Sequence, residues 1–339
     1  MILTVTPNPS LDRTYEVPAL DRGEVLRATA ERMDPGGKGV NVSRAVAAAG
    51  RRTVAVLPLG GAPGALVAEL LAEQGIEVAP VPVAGATRSN IALAEPDGTL
   101  TKINAPGPEL TAVESESLLS TIRTHAGAAT WIACCGSLPR GLAPEWYAEL
   151  VARAHRAGAR IALDTSGPSL LAALLERPDV VKPNAEELAQ AVGRPLATVG
   201  DAVKAAEELR TYGAGSVLAS LGADGQLLVS GAGTYFGYAA VTTVRSNVGA
   251  GDASLAGFLA AGGEGPEALA SAVAHGAAAV QLPGSVMPSP ADLDPWGGAG
   301  APPRPAGGGW GPPRHTLEGR GGGGGGGGNP RAPRGRRRA

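Results

Sequence analysis

Short apolar runs alternate with helix-forming runs over roughly the first 290 residues, and this alternation limits the fold more than any other feature. Residues 2–6, 53–57, 129–135, 160–164 and 180–182 are apolar and rich in β-branched side chains, as buried strands are. Between them, residues 40–49, 65–73, 112–123, 144–157 and 199–212 carry Ala, Leu and Glu in helical rhythm. A strand joined to the next through a helix runs parallel to it. The expected class is therefore α/β, a mostly parallel central sheet with helices on both faces. Two places break the rhythm. Residues 15–17 with 25–32, and 88–94 with 100–104 around the turn Pro96-Asp97-Gly98, predict strands without intervening helices. They should form a small separate sheet over about 13–33 and 87–104, a lid if it projects over the carboxyl edge of the main one; an antiparallel edge of the main sheet is the competing reading.

Composition divides the chain in two. Residues 297–339 hold 17 Gly, 7 Pro and 8 Arg against one acid, Glu318, and can bury almost nothing. With 29 basic and 31 acidic residues overall, the body is left with a net charge of about −9. We expect one folded domain over 1–295 and a disordered Gly/Pro/Arg-rich tail over 296–339. An acidic body argues against a nucleic-acid surface, which needs clustered cations. No apolar run reaches the ~18–20 residues of a membrane span. Met1 leads directly into the strand-like Ile-Leu-Thr-Val-Thr, so no signal peptide and a cytoplasmic location are expected. Cys134 and Cys135 are adjacent, a poor geometry for a structural bridge, and four scattered histidines suggest no metal cluster.

Two glycine clusters could carry chemistry. In Gly249-Ala-Gly-Asp252, glycines precede a helix-forming run, so the first helical turn would offer free N–H groups to an anion. Asp252 beside that anion could take a proton from an attacking hydroxyl; it also fits a plain first-turn helix carboxylate. In Pro35-Gly-Gly-Lys-Gly-Val-Asn41, the glycines permit close backbone approach and Lys38 and Asn41 could bind oxygens. The spacing is not that of a Walker A loop, and no Gly-x-Gly-x-x-Gly follows the first strand. The chain has only four Lys, namely Lys38, Lys102, Lys182 and Lys204, and the first three fall in loops or strand ends already singled out.

Six segments in order resemble the ribokinase-like (PfkB) sugar kinases: Thr6-Pro-Asn-Pro-Ser-Leu-Asp12, Gly36-Gly-Lys-Gly-Val-Asn41, Gly136-Ser-Leu-Pro139, Val181-Lys-Pro-Asn-Ala-Glu-Glu187, Ser220-Leu-Gly-Ala-Asp-Gly225 and Gly249-Ala-Gly-Asp252. The resemblance covers residues 1 to about 290 and none of the tail. It is greatest to the phosphosugar branch, which holds 1-phosphofructokinase, tagatose-6-phosphate kinase and the minor-type 6-phosphofructokinase. It implies a three-layer sandwich with a β-sheet lid, ATP and Mg²⁺ as cofactors, and a phosphosugar acceptor.

The resemblance also implies roles. Asp252 would be the base, and the N–H groups of Gly249, Ala250 and Gly251 the anion hole for the transferred phosphoryl group. Asp12, Gly37, Asn41 and Ser137 would contact the sugar. Lys38, Arg88 and Lys102 are candidates for the sugar's own phosphate, with Arg27 on a lid strand a weaker fourth; for Arg88 and Lys102 an exposed strand pair facing solvent is the competing reading. Lys182, Asn184, Ser220, Gly222, Gly225 and Asn247 would face the nucleotide, and Asn184 and Glu187 would support Mg²⁺ through water. For Asn184 and Glu187 a polar helix start is the competing reading. Ser246-Asn247 departs from the Asp-Thr or Ser-Thr of many relatives, which leaves no acidic residue there for a monovalent cation. A homodimer through the lid and, as another class, a non-catalytic phosphosugar sensor are the further expectations.

Overall fold

A computed structural model of the protein describes residues 1–293 and the backbone of 301–305. Strand β1 (Ile2–Val5) is followed by β2 (Ser10–Glu16), β3 (Ala30–Gly36) and helix α1 (Lys38–Ala48). Next come β4 (Thr53–Leu59), α2 (Gly61–Glu73), β5 (Glu77–Pro82), β6 (Arg88–Ala94), β7 (Leu100–Ile103) and α3 (Ala112–Ala126). The alternating part continues with β8 (Trp131–Cys135), α4 (Trp146–Arg156), β9 (Arg160–Asp164), α5 (Gly167–Leu174), β10 (Val180–Val181), α6 (Ala185–Val192), α7 (Val199–Tyr212) and β11 (Ser216–Ser220). It closes with β12 (Gln226–Ser230), β13 (Gly233–Tyr238), α8 (Ala250–Ala260), α9 (Gly265–Val280) and β14 (Ala301–Pro305).

The main sheet has the order β14-β13-β12-β11-β10-β9-β8-β1-β4-β5. It is parallel from β5 to β11 and antiparallel from β11 to β14. Its two faces follow from strict alternation along each strand. On β8, Ile132 and Cys134 pack with α3 to α7, whereas Trp131, Ala133 and Cys135 pack with α1, α8 and α9. The neighbouring cysteines therefore lie on opposite faces, both buried as free thiols. These are the three layers that the resemblance implied. Among the described residues, no helix is long and apolar enough to cross a membrane.

The second sheet has the order β3-β2-β6-β7, with β2 and β6 parallel at its centre and antiparallel neighbours outside. Its hairpin β6–β7 lies where the sequence predicts it. Strand β3 does not: it begins at Ala30 and reaches Gly36, well past the expected 25–32, because Asp34-Pro35-Gly36 pairs with Ser10–Asp12 instead of turning. Arg27 consequently lies in the β2–β3 connection and is exposed, not on a lid strand. Of the expected tail, residues 301–305 pair with β13 as the edge strand β14, a position open to a proline-rich segment; the rest lies outside the described residues.

Neighbouring β1 and β8 mark the place where chain order in the sheet reverses, and ligands of such sheets bind beyond the carboxyl ends of the strands there. Thr6 follows β1, Gly136 follows β8, Asp164 ends β9, Lys182 follows β10 and Ser220 ends β11. The fold gathers five sequence segments on one edge.

Candidate active site

The site is built around the start of α8. Gly249 precedes the helix at φ 79°, a left-handed conformation that favours glycine, with Met287 Cε 2.8 Å from where a Cβ would sit. The backbone N–H groups of Gly249, Ala250 and Gly251 lie before or within the first turn, where no helical carbonyl precedes them to accept. Lys182 Nζ lies 3.2 Å from the Cβ position of Gly251, so a buried cation stands against that turn.

Lys182 is paired with Asp164 at 2.8 Å, and Lys38 donates to the other Asp164 oxygen at 2.7 Å. One carboxylate, 1% exposed, thus holds two ammonium groups side by side. Burial alone would raise the Asp164 pKa, but Lys182 and then Lys38 outweigh it and hold the group below the ordinary carboxylate range. Burial likewise pulls both lysines down; Asp164 outweighs it in each, and Glu187 and Asp252 add to the effect on Lys38, so both stay charged.

Asp252 lies in the first turn of α8, 7% exposed, and accepts a hydrogen bond from Asn41 Nδ2 at 2.8 Å. Burial is the main cause that pushes its pKa up to about 6, and the negative charge of Asp164 adds to it. Asn41, Lys182 and Lys38 oppose the rise. A base that titrates close to neutrality and lies beside a row of N–H donors and two cations is suited to proton removal next to an anion.

Asn184 and Glu187 form a capping box at the start of α6: Glu187 N–H donates to Asn184 Oδ1 at 2.8 Å, and Asn184 N–H donates to Glu187 Oε2 at 2.9 Å. The polar-helix-start reading is therefore correct as local structure. Glu187 does more, since its Oε1 accepts from Lys38 Nζ at 3.3 Å. Ser220 lies beside Asn184 through a parallel bridge, and Gly222 opens the short 3₁₀ turn after β11 that ends at Gly225. Asn247 is exposed in the segment leading to α8.

On the lid, Asp12 is half-buried on β2 and accepts from Ser10 Oγ at 2.7 Å and Asn90 Nδ2 at 2.8 Å. Gly36 stands directly opposite Ser10, and a Cβ there would collide with the Asp12 carboxylate. Gly37 links β3 to α1 as the residue before Lys38. A cleft of about 460 Å³ lies between the inner face of the lid, which includes Asp12, Asn90 and Lys102, and the segments at Arg245–Ser246 and Gly284–Ser285. Lys102 is exposed on that face. Arg88 donates to the carbonyls of Ala105 at 3.0 Å and Asn8 at 2.9 Å, with its Nε buried and without a hydrogen-bond partner. Ser137 is exposed just after β8, next to Gly136, whose N–H donates to the Asp164 carbonyl.

The structure therefore divides the expected phosphate-binding cations. Arg88 and Lys102 belong to the lid, while Lys38 is held with Lys182 on Asp164. Sequence reasoning missed Asp164 and Asn90. The first ends an apolar strand at the carboxyl edge of a parallel sheet, a position that could have marked it; nothing local marks the second.

The chain matches the pfkB family carbohydrate kinases over residues 6–292. It is 41% identical over 260 residues to a 1-phosphofructokinase of Rhodobacter capsulatus, which covers 76% of this chain and 82% of that one. It is 35% identical over 257 residues to the ATP-dependent 6-phosphofructokinase isozyme 2 of Mycobacterium tuberculosis, covering 75% of this chain and 76% of that one. Among solved structures, phosphofructokinase-2 from Escherichia coli in complex with potassium superposes with a TM-score of 0.82 at 34% identity, over 86% of this chain and 96% of that one. The chain belongs to the pfkB family of carbohydrate kinases.

Proposed function

We propose that the protein transfers the γ-phosphoryl group of ATP to a ketohexose phosphate, with fructose 1-phosphate as acceptor and fructose 1,6-bisphosphate as product. The observation that carries this reading is the placement of Asp252, Lys182 and Lys38 around the first turn of α8. Asp252 takes the proton of the sugar's 6-hydroxyl. The freed oxygen electron pair forms the new bond to the γ-phosphorus as the β–γ bridging P–O bond breaks, and ADP leaves. The N–H groups of Gly249, Ala250 and Gly251 receive the charge on the equatorial oxygens, and Lys182 and Lys38 neutralise it from one side.

Asp12, Gly37, Asn41 and Ser137 hold the sugar, and Arg88 and Lys102 hold its phosphate from the lid. Lys182, Asn184, Ser220, Gly222, Gly225 and Asn247 line the nucleotide. Every one of these residues precedes Pro295, so the catalytic unit is 1–295.

Mg²⁺ fits this donor set only as a hydrated ion. Both Glu187 oxygens already accept hydrogen bonds, and among the described residues no group of three or more His, Cys, Asp or Glu is placed to hold a metal. Magnesium keeps several waters and takes other ligands from substrate phosphates, so Asn184 and Glu187 would hold it through water. There it would neutralise charge on the β- and γ-phosphates.

The acceptor assignment rests on the similarity to 1-phosphofructokinases. A second reading, fructose 6-phosphate, is favoured by the similarity to the 6-phosphofructokinase isozyme; tagatose 6-phosphate fits the same motifs. Steady-state rates with the three sugars decide: the highest kcat/KM is expected with fructose 1-phosphate, and a preference for either other sugar overturns the choice. Failure to release ADP with any of them would leave a phosphosugar sensor instead. The outer lid face carries Met33, Arg13, Ile91 and Ile103 in one cross-strand row, its three apolar members 38, 36 and 58% exposed, which supports a homodimer through the lid; the cytoplasm is the location that goes with this reading. A strictly monomeric profile in sizing refutes the dimer.

A further inference from the structure

Arg44 lies on α1, one helical turn after Asn41, with a side chain only 9% exposed. Its guanidinium reaches three other pieces of the fold and one residue of its own helix. Nε donates to Gln74 Oε1 at the end of α2 at 2.9 Å. Nη1 donates to Ser285 Oγ at 3.3 Å and, at the outer limit of a hydrogen bond, to Asn41 Oδ1 at 3.5 Å. Nη2 faces Asp34 Oδ1 of lid strand β3 at 3.9 Å. Burial is the largest influence on its pKa and lowers it, opposed by Asp34; such a burial is tolerated because the forked group is shared among partners.

The contact with Asn41 matters because an Asn amide has two ends. Nδ2 faces the Asp252 carboxylate at 2.8 Å and Oδ1 faces the guanidinium. Turning the amide over would set oxygen against carboxylate and NH₂ against guanidinium, unfavourable at both ends. We propose that Arg44 is a positioning residue for the base: it fixes the Asn41 amide with its donor toward Asp252, and ties that orientation to the lid root through Asp34 and to the 282–288 segment through Ser285. The same segment supplies Met287 against Gly249, so one buried arginine connects lid, base and anion hole. The inference rests on the proposed function only in calling Asp252 the base; the contact itself can be read without turnover.

The other groups facing Asp252 are Asp164 from β9, Lys182 after β10 and Lys38 from α1, with Cys135 of β8 kept a thiol by burial. Those facing Arg44 are Asp34, Arg32 and Asp12. Removing the Arg44 charge can also act on Asp252 directly through space, and an Asn41→Ala background separates that effect from one passed through the amide. The test is the titration of the Asp252 carboxyl carbon in [¹³C]Asp-labelled protein, assigned by its loss in Asp252→Asn. Arg44→Met should move the midpoint upward by about half a pH unit or more, because the donor to the carboxylate is no longer held. In an Asn41→Ala background the same substitution should move it no further. If Arg44→Met does not fold, Arg44→Lys, which keeps the charge but not the fork, should give a shift of the same sign. An unchanged midpoint in whichever variant folds, or an equal shift without Asn41, overturns the proposal. Wild-type turnover with fructose 1-phosphate, measured alongside, tests the function separately.

Discussion

Replacing Asp252 by Asn should stabilise the protein at pH 8 while removing the proposed base. The carboxyl titrates at 3.8 when unperturbed and at about 6 in the fold, chiefly because it is buried and secondly because Asp164 is near. At ~1.36 kcal/mol per pH unit, the folded state disfavours the ionised group by about 3 kcal/mol. The sign follows from the two titrations. Below pH 4 the group is protonated whether the chain is folded or not, and it contributes nothing. The destabilisation grows as pH rises from about 4 to 6 and is complete above that. Asparagine has the same shape and can still accept from Asn41 through Oδ1, but carries no charge. Urea melts at pH 4, 6 and 8 should therefore show the variant gaining about 1–3 kcal/mol over wild type at pH 8 and far less at pH 4. A variant no more stable at pH 8, or one whose advantage does not change with pH, would refute the electrostatic reading of this site.

In wild type the same ionisation should appear in the kcat/KM profile as an acid limb near pH 6, with activity falling below it as the base takes up a proton; a limb at pH 4 would contradict the raised pKa. Asp164→Asn leaves two neighbouring ammonium groups without their shared partner and should cost about 3–5 kcal/mol in a denaturant melt. It also removes a charge that raises Asp252, so the acid limb of any residual activity should move to lower pH; a limb that rises sinks the assignment. Gly36→Ala places a methyl on the Asp12 carboxylate, and should raise KM for the sugar while ATP affinity measured by calorimetry stays within about threefold; equal loss of both would show a general collapse of the loop.

The alternation of strands and helices was legible because burial on both faces of a parallel sheet leaves nearly continuous apolar runs, and the helix 199–212 matches α7 residue for residue. Strand β3 was not, because Asp34-Pro-Gly reads locally as a turn; tertiary pairing with Ser10–Asp12 overrides that preference. The glycine loops and Asp252 stand out by residue type, and the structure puts Gly249 and Asp252 at the start of α8. Asp164 did not: an Asp ending Arg-Ile-Ala-Leu is ordinary until the fold brings Lys38, 126 residues away in sequence, onto its oxygen. Arg44 was hidden in the same way, as one of 25 arginines, its partners scattered from Asp34 to Ser285. Local spacing marks residues by type and position; groups that act on other groups become visible only when the chain is folded.

If Asp252 is the base for phosphoryl transfer to a sugar phosphate, single-turnover transfer from γ-labelled ATP to fructose 1-phosphate must depend on its carboxylate. With ATP saturating, wild type should form labelled fructose 1,6-bisphosphate. Asp252→Asn should bind ATP with unchanged affinity and transfer several orders of magnitude more slowly. Transfer by the variant at near the wild-type rate would contradict the account.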